Sequence, residues 1–179
     1  MRTSVFVGTS LDGFIARTDH TFDFLSAGGE VSGADNGYDA FFATVDAVLM
    51  GRNTYEVVLP FAAWPYKATP VFVLSHRPLP PSPGGAVVER LEGPPHEVHA
   101  RLAARGFQHV YVDGGLTVQQ FLRAGLVQRL TVTRVPVLIG AGIPLFGPLD
   151  ADLPVRHLST RVILEGAVQS EYALDARTP

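Results

Sequence analysis

The sequence predicts a mostly parallel α/β sheet that ends in an antiparallel hairpin, and three observations predict it. Short apolar runs at 46–50, 71–75 and 110–113 alternate with stretches whose apolar residues recur at helical spacing. Glycine, proline and polar residues separate these runs, as turns require. Beyond residue 128 the helical spacing gives way to strand-like runs. The 179 residues suit a single domain, 1–179, which can bury roughly 70% of the surface its unfolded chain exposes.

In chain order, residues 3–8 (TSVFVG) read as an apolar strand, followed by a polar loop through Ser10, Asp12 and Gly13. The stretch DNGYDAFFAT at 35–44 offers Asp35 as a helix N-cap and Tyr38, Phe41 and Phe42 at helical spacing. DAVLM at 46–50, bounded by Gly51, is a buried strand, and a helix follows over 53–59. VFVLS at 71–75 is the next strand, and the Pro- and Gly-rich stretch from Arg77 to Gly85 is loop. A helix over 95–105 places Val98 and Leu102 one turn apart, Arg101 and Arg105 in its last turn, and Gly106 at its end. VYVD at 110–113 is a strand, and LTVQQFLRAG at 116–125 is a helix with Val118, Phe121, Leu122 and Gly125 on one stripe. Residues 128–139 and 155–174 are strand-like, with Glu165-Gly166 as a tight turn and Val168, Tyr172 and Leu174 alternating with Gln169 and Glu171.

Composition removes several function classes. Hydrophobic residues make up 46% and charged residues 17%, the balance of a globular protein and not of a disordered one. The net charge is −3 and the 14 Lys and Arg form no run, so the footprint of a nucleic-acid partner is missing. With no cysteine there are no disulfides, no thiolate catalysis and no Cys-type zinc site, and no metal is expected. No segment has the apolar core of a signal peptide or the ~20 apolar residues of a membrane span, so no membrane partner is expected and the expected address is the cytoplasm.

Four short motifs fall where strands end, which is where open α/β sheets place ligands. TSLDGFIA at 9–16 is a loop whose only carboxylate is Asp12; taken alone it fits an ordinary turn equally well. MGRNTYE at 50–56 ends a strand in Gly51 and opens a helix, where amides, Arg52 and Thr54 can hold a phosphate, or where Gly51 simply precedes a helix with a surface arginine. LSHRP at 74–78 offers Ser75 and Arg77 as a grip for a ribose 2′-phosphate, although a solvated loop looks the same, and His76 receives no proton-transfer role. VDGGLTVQQFL at 112–122 lets the backbone approach a pyrophosphate as the next helix begins; it is not a GxGxxG fingerprint, and a Gly-Gly turn chosen for geometry fits it too.

Taken in order, together with PVLIGAGIPLFG at 136–147, these motifs resemble the reductase domain of the riboflavin-biosynthesis protein (the RibD C-terminal domain) and its stand-alone relatives. The matching residues are Ser10-Leu11-Asp12-Gly13, Asp46-Ala47, Gly51-Arg52 with Thr54, Gly114-Gly115, and Pro136 to Phe146, spanning nearly the whole chain. The resemblance implies a three-layer α/β/α fold of the dihydrofolate reductase type that binds NADPH at the carboxyl ends of its strands. It puts Arg52 and Thr54 near the phosphates, Ser75 and Arg77 near the 2′-phosphate, Gly114, Gly115, Leu116 and Thr117 under the pyrophosphate, and Gly140 to Gly142 in the cleft or at its rim. Ser10, Leu11 and Asp12 would border the nicotinamide and the substrate, with Asp12 positioning or protonating the substrate.

Two departures separate this chain from relatives that reduce a phosphoribosyl-pyrimidine. Phe42 stands where they carry an arginine, and Gln128-Arg129 where they carry Asp-Glu. Asp39 is a second candidate carboxylate on the helix before Gly51-Arg52, and Tyr38 and Phe42 are candidates to line an aromatic substrate pocket. Trp64 can cover either the site or the core. The expected activity is transfer of hydride from NADPH to a C=N or C=O bond of a small pterin- or pyrimidine-like substrate. The competing class is a protein of the same fold that binds NADPH or another small ligand without turnover. By the same resemblance the chain is expected to pair as a homodimer.

Overall fold

The computed structural model describes residues 1–28, 36–163 and 166–175. Its elements run β1 (Arg2–Thr9), β2 (Phe14–Ala16), a 3-10 turn (Asp23–Gly28), α1 (Tyr38–Phe42), β3 (Ala47–Gly51), α2 (Arg52–Val58), β4 (Val71–Leu74) and β5 (Val88–Leu91). There follow α3 (Pro95–Ala104), β6 (His109–Asp113), α4 (Gly115–Arg123), β7 (Arg129–Arg134), β8 (Ile143–Pro144), β9 (Arg156–Ile163) and β10 (Ala167–Ala173). Eight strands form one sheet in the order β5-β4-β3-β6-β1-β7-β10-β9. The first six are mutually parallel, while β10 is antiparallel to both β7 and β9, so the parallel sheet with its terminal hairpin is as the sequence predicts. β2 and β8 pair separately as a small antiparallel ribbon.

Alternation along the strands builds three layers. On β3, Ala47 and Leu49 join a core with Val98 and Leu102 of α3 and Val118, Phe121 and Leu122 of α4. Val48 and Met50 point the other way, into a core with Phe42 of α1 and Tyr55 and Val58 of α2. Phe72 against Val71 and Val73, and Val112 against Tyr111, repeat the division on β4 and β6. Both faces of the parallel strands are thereby covered, which is why their sequences read as continuous apolar runs.

Some boundaries differ from the sequence reading. The helix expected over 35–44 is the single stretch Tyr38–Phe42; Gly37 occupies its cap position, and Asn36 Oδ1 accepts the Tyr38 N–H at 2.8 Å. Asp35, expected as the cap, lies outside the described residues, as does Glu165 of the expected hairpin turn. α4 ends at Arg123, before Gly125, whose φ of +69° turns the chain out of the helix and off the predicted stripe. The strand expected over 128–139 stops at Arg134.

Candidate active-site cleft

The carboxyl ends of β1, β3, β4 and β6 open onto a cleft of about 830 Å³. Two strand-to-helix turns meet at its centre. A Cβ on Gly114, whose φ is +86°, would collide with Thr54 Oγ1, and one on Gly115 would lie 2.9 Å from Ile15 Cδ1. Only glycine allows β6 to pass into α4 this close to the β3–α2 turn. Gly115, Leu116 and Thr117 open α4 with their amides at the cleft wall, and the first N–H groups of a helix have no partner inside it.

Gly51, Arg52, Thr54, Ser75, Gly114, Gly115, Leu116, Thr117 and Tyr38 all line this cleft, so motifs far apart in sequence converge. Arg52 is already held: Nε donates to Glu56 at 2.7 Å, and Nη1 donates to the Pro78 carbonyl at 2.7 Å and to Ser75 Oγ at 3.3 Å. Ser75 Oγ in turn accepts the Arg77 N–H at 3.1 Å and donates to the Arg77 carbonyl at 2.8 Å. Arg77 itself is exposed beside Ser75 and outside the cleft lining.

Other candidates lie outside that lining. Asp12 accepts the Gly140 N–H at 2.8 Å and the Ile139 N–H at 3.3 Å, tying the 9–16 loop to the stretch after β7. Hydrogen bonding from Ser10, then from these amides, holds its carboxyl below the usual range, a carboxylate kept ionised. Ser10 is buried with Oγ accepting the Phe14 N–H at 3.0 Å, and Leu11 is exposed. Asp39 is exposed on α1, and Phe42 is buried in the core, stacked on Tyr38 with ring centroids 5.6 Å apart. Gly140 stays with Asp12 while Gly142 reaches the cleft, and Trp64 packs edge-on against Tyr66 within the α1–α2 core.

Sequence reasoning missed the carboxylate that does face the cleft. Asp113 ends β6, half-buried, with Oδ1 accepting the Gly114 N–H at 2.7 Å and Oδ2 accepting the Tyr66 hydroxyl at 3.2 Å. Burial pushes its carboxyl up, against the opposing pull of hydrogen bonds from Gly114, Tyr66 and Tyr111. Tyr38, Tyr66 and Tyr111 surround it, their phenols raised well above the ordinary value by burial first and by Asp113 second. The signal for Asp113 was present, an acidic residue closing an apolar strand directly before two glycines. Tyr66 had none, since it sits in an irregular stretch without periodicity.

A three-layer sheet with a cleft across its strand ends, where two helix starts meet, is an α/β fold of the dihydrofolate reductase type. Dihydrofolate reductase from Enterococcus faecalis, solved with NADP(H), superposes with a TM-score of 0.63 at 15% identity, covering 97% of this chain and 96% of that one. The chain belongs to the RibD C-terminal domain family, which matches residues 4–169. It is 32% identical to the uncharacterised protein YwjB of Bacillus subtilis (strain 168) over 174 residues, 96% of this chain and 97% of that protein. The crystal structure of a proposed riboflavin biosynthesis protein from Shewanella sp. PV-4 superposes with a TM-score of 0.90 at 38% identity, covering 98% of this chain and 99% of that one.

Proposed function

We propose that the chain is a cytoplasmic NADPH-dependent reductase acting on a C=N or C=O bond of a small pterin- or pyrimidine-like molecule, with Asp113 as proton source. The observation that carries this is the position of Asp113: a carboxyl with a raised pKa, open to the cleft, next to the glycine-lined start of α4. Residues suited to NADPH are present, because α4 opens at Gly115 on the cleft wall and its first amides there are donors for a pyrophosphate. Thr54 and Arg52 would add hydroxyl and guanidinium donors, and Ser75 with Arg77 would meet the 2′-phosphate. NADPH, when bound, supplies the hydride that goes to the carbon of the double bond.

The chain's own part is positioning and the proton. Protonated Asp113 gives its hydrogen to the nitrogen or oxygen as the carbon is reduced, and the resulting carboxylate is held by the Gly114 amide and the Tyr66 hydroxyl until solvent reprotonates it. Asp12 acts from behind, holding the loop at Ile139 and Gly140 that leads to Gly142 at the cleft wall.

Melting curves test the cofactor first. A hundredfold excess of NADPH over its dissociation constant adds about 2.7 kcal/mol, a rise of roughly 5 to 11 °C for a chain of this size. NADH is expected to shift less, because it leaves Ser75 and Arg77 unengaged. No shift with NADPH would remove the proposal. Oxidation of NADPH over a panel of pterins, pyrimidines and simple carbonyls then separates a reductase from a protein that binds the nucleotide without turnover.

A further inference from the structure

We propose that the substrate of this reductase is an uncharged planar ring compound carrying no phosphate, seated among Phe6, Tyr38, Tyr66 and Tyr111 beside Asp113; the inference rests on the reductase reading. The walls at this end are rings. Phe6 meets Tyr38 edge-on with centroids 5.6 Å apart, and Tyr38 meets Tyr111 likewise at 6.4 Å. At the mouth, Phe22 and Phe61 touch edge-on at 6.1 Å, each still more than a third exposed. Such surfaces favour a flat apolar body with a few polar edge groups.

A phosphate ester would need a guanidinium or an ammonium, and among the described residues lining this end there is none. Among the described residues lining the cleft, Arg52 is the single Arg or Lys. It follows β3 and is turned toward the β4 side, onto Glu56, Ser75 and Pro78, whereas Phe6 lies on β1 with β6 between. Of the two lining imidazoles, His76 stands 3.8 Å from Glu92 at the β4–β5 end, and His20 lies on an exposed turn outside the ring cluster. The free α4 amides are engaged by the cofactor in the reductase reading, and the Asp113 carboxyl beside the rings supplies no positive charge for a phosphate.

Calorimetry on the full chain saturated with NADPH tests this with matched pairs: 6-hydroxymethyl-7,8-dihydropterin against its monophosphate, and 5-amino-6-(ribosylamino)uracil against its 5′-phosphate. The unphosphorylated member of at least one pair is expected to bind tenfold or more tighter than its ester. Phe61→Arg, at a half-exposed position on the cleft wall, is expected to narrow that gap at least threefold by strengthening the ester. Equal or tighter binding of the esters by the unaltered chain overturns the inference, and so does failure of every neutral member to bind while NADPH still binds. Failure of NADPH itself to bind would instead strike the reductase reading.

Discussion

The proton at Asp113 makes activity depend on pH in a fixed direction. Burial raises this carboxyl above its ordinary value, so the folded protein keeps the acid form at pH values where an exposed aspartate is ionised. Turnover limited by that proton is full below the raised pKa and falls as pH climbs through it. Stability shares the sign, since the unfolded chain releases the proton first and the fold weakens between the ordinary and the raised pKa. Asp113→Asn is expected to lower kcat about a hundredfold or more and to abolish the basic limb of the rate profile, with the melting shift by NADPH retained. An unaltered profile would take Asp113 out of the chemistry. At this scale the sequence disclosed the groups that shape the backbone, because Gly51, Gly114 and Gly115 are required by geometry wherever a strand turns closely into a helix. It did not single out Asp113, whose raised carboxyl comes from burial in the folded cleft, beside Tyr66 forty-seven positions away.

Among the elements, β6 is the one most visibly pinned by a side chain. The Asp46 carboxylate, just before β3, accepts the Gln108 N–H at 2.7 Å and the His109 N–H at 3.0 Å, fixing the entry to the strand that delivers Asp113. Asp46→Ala removes both charge-assisted bonds and is expected to cost about 2–4 kcal/mol, read as a lower urea midpoint with an unchanged slope. A loss below 0.5 kcal/mol would show that the β3–β6 pairing sets this register alone. The legible elements were those that bury most: β3 and β4 are apolar runs closed on both faces, and α3 and α4 carry a clear stripe with basic residues in the last turn. β5 went unread because its segment VERL buries only Leu91, and β2 and β8 because three- and two-residue strands carry no period to detect.

On the whole molecule, the outer face of the β7–β10–β9 end carries exposed apolar side chains. Val162 and Val168 lie opposite each other across the β9–β10 pair, 73% and 37% exposed, and Val168 borders a groove of about 340 Å³ with Leu130, Val132, Leu149, Val155 and Tyr172. A contiguous apolar face on a small protein favours a partner, and a second copy of the same chain can bury it with two-fold symmetry. β9 adds a reason, being an eight-residue strand at the edge of the sheet that, among the described strands, pairs with β10 alone. We propose a homodimer through this face, on the β7–β10–β9 side of the sheet, whereas the cleft is built on β1, β3, β4 and β6. Light scattering at micromolar concentration is expected to give twice the chain mass, and Val162→Lys to shift it toward a monomer because two ammonium groups would meet near the symmetry axis. Since Val162 is largely exposed in the single chain, the same substitution should leave the melting shift by NADPH unchanged. A monomer mass for the unsubstituted protein would leave that face to solvent and end the proposal.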